Sequence, residues 1–232
     1  MGICAIWGAP QSGKTTLAIN LAFEASRRGK STCILSPLEY SELSTFLGIK
    51  IPKEQSLQAA LCGSENIKQA VFKVSDLFYV LAVPTTTDAF DLSYTSEQVK
   101  SLLDIAKATF DLVVVDCPSE TNNLIAAWSL NRADKVLLCL GGHISCALWY
   151  EANKRALQTV QKKAIYVSSQ TTADFDYEAL YSYMKCDPKV KVPFVQQAAL
   201  LQNECKLLCQ MSGKKGKSYS GAMDKLLEVP TI

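Results

Sequence analysis

Residues Gly8-Ala9-Pro10-Gln11-Ser12-Gly13-Lys14-Thr15 follow the spacing G-x-x-x-x-G-K-[ST], the pattern of a backbone built to hold phosphate. Its glycines let the chain curl so that successive N–H groups face an anion, and a helix starting there adds its positive end. Lys14 is placed to reach the outer phosphates of a nucleoside triphosphate, and the Thr15 hydroxyl to ligate Mg²⁺. The plainer alternative is a glycine turn that happens to precede a helix. Against it, the apolar run Ile3–Trp7 lies directly before the loop and a helical pattern directly after it. Gly8, Ala9, Pro10, Gln11, Ser12, Gly13, Lys14, Thr15 and the following Thr16 are therefore the candidate nucleotide-binding residues.

A second element belongs beside that loop. Phe110-Asp111-Leu112-Val113-Val114-Val115-Asp116-Cys117-Pro118 reads as an apolar strand ending in an aspartate and a turn. A carboxylate at the carboxyl end of a parallel strand can organise Mg²⁺, directly or through a water. On its own such an aspartate is as often a turn former. Taken with the loop, Lys14 and Asp116 become the candidate catalytic pair, and Thr15 and Asp116 the candidate metal ligands. The cofactors this implies are ATP and Mg²⁺.

The elements that must carry these groups alternate along the chain. Strand-like runs at Gly2–Trp7, Thr32–Leu35, Phe78–Val83, Leu112–Asp116, Lys135–Leu140, Ala164–Val167 and Lys189–Val192 are mostly continuous in apolar residues. That is the mark of parallel strands covered on both faces. Helical patterns fall between them at Thr15–Arg28, Ser96–Ala108, Asn122–Asn131, Cys146–Lys162 and Tyr177–Met184. The alternation predicts an α/β fold of the P-loop type: a doubly wound, mainly parallel sheet with helices on both faces. No linker or repeat divides the chain, so residues 1–232 are expected to form one domain.

Composition sets the outer bounds. The 232 residues carry 48% apolar and 20% charged side chains and a net charge of +2, ordinary usage for a folded domain. No apolar run approaches the roughly 18 residues a membrane span needs. The first residues lead straight into an expected strand, so no signal peptide is expected, and Ile6 breaks the myristoylation pattern at Gly2. Nine cysteines without a C-x-x-C pair, and His143 as the lone histidine, speak against a zinc site and against Ser-His or Cys-His nucleophiles. Unpaired thiols in that number predict a cytoplasmic location.

In order and content the segments resemble the ParA/MinD family of P-loop ATPases. Thr15-Thr16 after the loop, the Phe110–Pro118 strand, Asn131-Arg132-Ala133-Asp134-Lys135-Val136, Val192-Pro193-Phe194 with Leu201-Gln202-Asn203-Glu204, and Glu42–Gly48 each resemble a family segment. The resemblance implies an ATP-bound homodimer that positions cellular cargo, a protein partner in a bacterial assembly or positioning system, and a base site near Pro193. The asparagine that family members place near adenine is missing, and Ser168, Ser169 or Gln170 could supply that contact. Ala9 stands where the family carries a signature lysine that reaches the partner's nucleotide, and Leu35–Tyr40 lacks the aspartate of the first switch. Glu39 or Glu42 could substitute. The departures predict retained Mg-ATP binding with hydrolysis that is slow or partner-dependent. A loop without the lysine is similar to the TadZ/CpaE branch, which localises pilus-assembly machinery, although its leading receiver-like domain has no counterpart here.

Other features admit two readings each. Lys214-Lys215-Gly216-Lys217 with Lys206 could touch nucleic acid, as in a ParA-type DNA-segregation protein, or form a solvated loop. Ala222, Met223, Leu226 and Leu227 have helical spacing, which suits a membrane anchor or a final packing helix; Asp224 and Glu228 beside Lys225 favour the packing helix. Trp128, Leu124 and Ile125, like Trp149 and Tyr150, suit core or interface equally. An enzyme acting on a small substrate would need a further acid near the phosphates, and Asp88 or Asp91 would be the candidates.

Overall fold

In the computed structural model, which describes residues 2–40, 42–62, 67–85 and 93–230, the apolar runs become strands of one sheet. The strands are β1 (Gly2–Gly8), β2 (Thr32–Leu35), β3 (Phe72–Ser75), β4 (Phe78–Leu81), β5 (Leu112–Asp116), β6 (Lys135–Leu140), β7 (Ala164–Thr171) and β8 (Val190–Pro193). Their order is β3-β4-β2-β5-β1-β6-β7-β8, and every pair is parallel except the β3–β4 hairpin at one edge. The expected doubly wound, mainly parallel α/β sheet is therefore what forms. The antiparallel β3 was not expected, because its alternation of half-buried and exposed residues is weak over only four positions.

The helices are α1 (Lys14–Arg27), α2 (Leu43–Leu47), α3 (Leu57–Leu61), α4 (Ile67–Ala70), α5 (Ser96–Thr109), α6 (Leu124–Arg132), α7 (Ile144–Ala152), α8 (Lys154–Val160), α9 (Tyr177–Met184), α10 (Ala198–Asn203) and α11 (Gly213–Glu228). Because side chains alternate across a strand, β1 sends Ile3, Ala5 and Trp7 to one face and Cys4 and Ile6 to the other. The first face is covered by α3 to α9 and the second by α1, α2, α10 and α11. Capping sets several boundaries: Thr95 and Gln98 form a capping box at the start of α5, and the Asn123 side-chain Oδ1 accepts from Ala126 N at 2.9 Å to start α6.

The pattern over Cys146–Lys162 predicts one helix, and the structure has two with a short 3₁₀ turn after them. The break falls at Asn153, where the backbone leaves helical angles at φ −102° and ψ 12°. Its backbone N–H at 3.0 Å and its side-chain amide at 2.8 Å both donate to the Trp149 carbonyl. The basic cluster, read as a solvated loop or nucleic-acid contact, lies instead in the opening turns of α11, a helix that also contains the buried Ala222, Met223 and Leu226.

Candidate functional site

β1 and β5 are neighbours, with Ile6 paired to Asp116, so the loop after β1 and the acid ending β5 emerge side by side. The chain leaves β1 for β2 on one side and leaves β5 for β6 on the other, which opens a crevice at the carboxyl ends of both strands. Gly8 is paired with Cys139 of β6, and any Cβ there would collide with the Cys139 carbonyl oxygen. Gly13 caps α1 in the left-handed region at φ 76°, where a side chain would also meet Gln170 Nε2 at 2.6 Å.

The loop is held from within. Ser12 donates to the Ala9 carbonyl through its backbone N–H at 3.3 Å and its hydroxyl at 2.8 Å, and both residues are fully buried. Lys14 curls over the loop and donates from Nζ to the Ala9 carbonyl at 2.9 Å and to Ser119 Oγ at 2.7 Å. Burial lowers the Lys14 pKa, against the pull of Cys139, Asp116 and Glu120. Pro10 and Gln11 form the exposed crest of the loop.

Asp116 is buried, and its Oδ2 has no hydrogen-bond partner. Burial pushes its carboxyl up to about 6, opposed by a hydrogen bond with Thr15 and by Lys14, while Glu42 adds to the rise. A buried carboxylate oxygen without a partner, next to a hydroxyl and beneath a phosphate-type loop, fits a divalent cation. Among the described residues no three His, Cys, Asp or Glu side chains gather as a ready-made metal cage, so other oxygens must complete such a site.

A cavity of about 270 Å³ adjoins the start of α1, lined among others by Gly13, Thr16, Ser169, Gln170, Pro193 and Gln202. It joins the two residues expected near a base, Gln170 and Pro193, to the phosphate loop. Of the alternatives to the missing asparagine, Ser168 is taken by the Tyr181 hydroxyl, whereas the buried Ser169 hydroxyl has no partner. Gln170 adopts φ 54°, which turns its side chain over Gly13.

Glu39 and Glu42 are both exposed, and of the two Glu42 acts on Asp116 through its charge. Asp88 and Asp91 lie outside the described residues. Trp128 is half-buried on α6 with the Lys100 ammonium 4.3 Å from its ring centre. Trp149 is buried, with Nε1 donating to the Ser119 carbonyl at 3.1 Å and its ring edge-on to Trp7 at 4.9 Å.

Three neighbours of the loop escaped the sequence pattern. Ser119 receives Lys14 three residues after Asp116, a position that no loop motif includes. Gln202 of α10, within the late segment that resembles one near the base, donates to Thr16 Oγ1 at 3.0 Å across 186 positions, a contact that the resemblance does not specify. His143 sits over Gly141 at the start of α7, where a Cβ on Gly141 would lie 2.8 Å from His143 Nε2 and 3.5 Å from Ser12 Cα. Its place after Gly141-Gly142, rather than its rarity, was the available clue.

The chain matches the family model of an AAA domain (AAA_31) over residues 10–163. An uncharacterized ATP-binding protein of Methanocaldococcus jannaschii is 26% identical over 144 residues, 60% of this chain and 52% of that protein. The septum site-determining protein MinD of Bacillus subtilis is 28% identical over 111 residues, 46% of this chain and 41% of MinD. The chain thus spans about half the length of the curated relatives it matches. Among solved structures, the septum site-determining protein MinD of Pyrococcus horikoshii complexed with Mg-ADP aligns at TM-score 0.79 and 16% identity, covering 98% of this chain and 96% of that one. A ParA family ATPase from Chlorobium tepidum aligns at TM-score 0.82 and 13% identity, covering 98% and 99%. At such identities the structural likeness speaks to the fold.

Proposed function

Because the chain belongs to the ParA/MinD family of P-loop ATPases, we propose that it binds Mg-ATP at Gly8–Thr16 and works as an ATP-dependent switch that positions or assembles cellular machinery. The observation that carries this reading is the convergence of the Lys14 ammonium, the Thr15 hydroxyl and the unpartnered Asp116 oxygen beneath one loop. The Ala9 and Ser119 oxygens that now occupy Lys14 are the contacts that phosphate oxygens would replace. Thr15 and Asp116 would hold Mg²⁺, whose charge neutralises the phosphate oxygens when it is bound. Gln170, Pro193 and Ser169 would receive the base.

Hydrolysis is slow without a partner in this reading. Ala9 is fully buried and offers no cation toward a second subunit, and Glu39 and Glu42 are both exposed. A missing transition-state cation can cost ~10³-fold or more in rate. We assign the active form to an ATP-held homodimer in the cytoplasm, acting on a pilus- or secretion-type apparatus. A partner-bound relative, the MinC:MinD cell division complex of Aquifex aeolicus, has the same fold at TM-score 0.81. ATP-dependent, salt-sensitive binding to duplex DNA would instead select the DNA-segregation alternative.

The test is nucleotide binding together with phosphate release from Mg-ATP, with Lys14→Ala as the blank. Binding by the wild type with release barely above the blank is the expected result. Absence of binding would remove the nucleotide reading, and turnover typical of autonomous ATPases would remove the slow-switch reading.

A further inference from the structure

α10 has two sides. One carries Ala199 and Gln202 toward the base cavity; the other carries Leu200 toward a second cavity, of about 610 Å³, between α10 and the start of α11. The floor of this groove is apolar, from Leu200, Leu207 and Met211, and its rim is cationic, from Lys206, Lys214 and Lys215. Leu200 is 59% exposed, an open apolar side chain in the middle of a basic border.

Most of the charge there is uncompensated. From Lys206 through Met223 the chain holds four lysines and no acid. The acids farther along α11, Asp224 and Glu228, are committed to Arg28 at 2.6 and 3.2 Å. Glu204 pairs with Lys206 at 2.9 Å, which leaves Lys214 and Lys215 without an ion pair among the described residues. Both lie in the first turn of a helix that has no acid there, the end at which the helix dipole disfavours cations.

We propose that this groove is the docking site for an acidic, amphipathic helical segment of a partner protein. Such a segment buries apolar anchors at i, i+3 and i+4 spacing on the leucine–methionine floor and sets carboxylates against the lysine rim. A nucleic-acid backbone would satisfy the lysines but leave Leu200 and Met211 uncovered, and no aromatic side chain lines the groove for base stacking. Because α10 walls both cavities and Gln202 is bonded to Thr16, docking and nucleotide binding are linked. That linkage rests on the proposed nucleotide function; the docking itself does not.

The experiment selects displayed random 16-residue peptides on the nucleotide-free full chain, then measures the enriched peptides by fluorescence anisotropy at physiological salt. Enriched sequences are expected to combine an acidic face with apolar residues at helical spacing. Leu200→Ser and the pair Lys214→Glu/Lys215→Glu should each weaken binding at least about tenfold while melting as the wild type does. A peptide with its acids changed to lysine should recover affinity for the charge-reversed variant. Failure to enrich any peptide, enrichment of peptides without acids, or indifference to both variants overturns the proposal. So does a preference, through the same residues, for duplex DNA or phosphatidylglycerol vesicles over the peptide. With docking established, a peptide affinity that is unchanged by bound Mg-ATP overturns the linkage alone.

Discussion

Asp116, the residue proposed to hold the metal, is a buried carboxyl that pays for its position in stability. Its pKa rises to about 6 from 3.8, so the folded chain keeps the proton longer than the unfolded one. Stability contributed by this group therefore falls as pH climbs from about 4 through 6, the reverse of a salt-bridged acid. Asp116→Asn should melt above the wild type at pH 7.5, by up to about 2–3 kcal/mol, and the gap should shrink to about a third of that by pH 4.5. The same variant should lose the Mg²⁺-dependent part of nucleotide binding. Thermal melts at the two pH values check the first expectation, and a variant no more stable than wild type at pH 7.5 counts against it. On the proposed nucleotide reading, Lys14→Ala would remove charge-assisted contacts to the phosphates and should weaken Mg-ATP binding on the order of 100-fold or more by calorimetry.

At the scale of elements, the β1–α1 turn works because two backbones touch. Gly8 faces the Cys139 carbonyl of β6 with no space for a methyl group, so Gly8→Ala must spread β1 from β6. A loss of about 1–3 kcal/mol or more in denaturant unfolding is expected. Gly221 gives the opposite outcome: it lies within α11 with nothing near its absent Cβ, and Gly221→Ala should add roughly 0.5–1 kcal/mol. The start of α5 was readable at Ser96, where Thr95 caps the helix, whereas α6 starts at Leu124 after the Asn123 cap, two residues later than its expected start at Asn122. The break at Asn153 was unreadable, because helical apolar spacing continues across it.

Across the whole molecule, the two faces of the sheet bury most of the thiols. Cys4, Cys33, Cys117, Cys139, Cys146 and Cys209 are buried, Cys186 is half-buried, and Cys62 and Cys205 are exposed. Burial holds Cys4, Cys139 and Cys186 up to about 12, far from the thiolate form that reacts. Brief alkylation of the native chain should therefore label Cys62 and Cys205 first, and all nine should react only after unfolding, as read by intact mass. Rapid native labelling of Cys4 or Cys139 would mean that the sheet opens readily between β1 and β6.

The sequence alone determined the phosphate loop, the strand-ending Asp116, the parallel sheet and the family, because each is written in adjacent residues. A loop needs consecutive N–H groups, and a two-face-buried strand needs consecutive apolar side chains. Only the tertiary structure decided what meets the loop from elsewhere: Ser119 on Lys14, Gln202 on Thr16, and the unpartnered Ser169 hydroxyl in the cavity beside Gln170 and Pro193. It also decided that the lysines of α11 border an apolar groove rather than open water. These contacts join positions far apart in the chain, and long-range proximity is set by how the strands are ordered in the sheet, which no short window of sequence encodes.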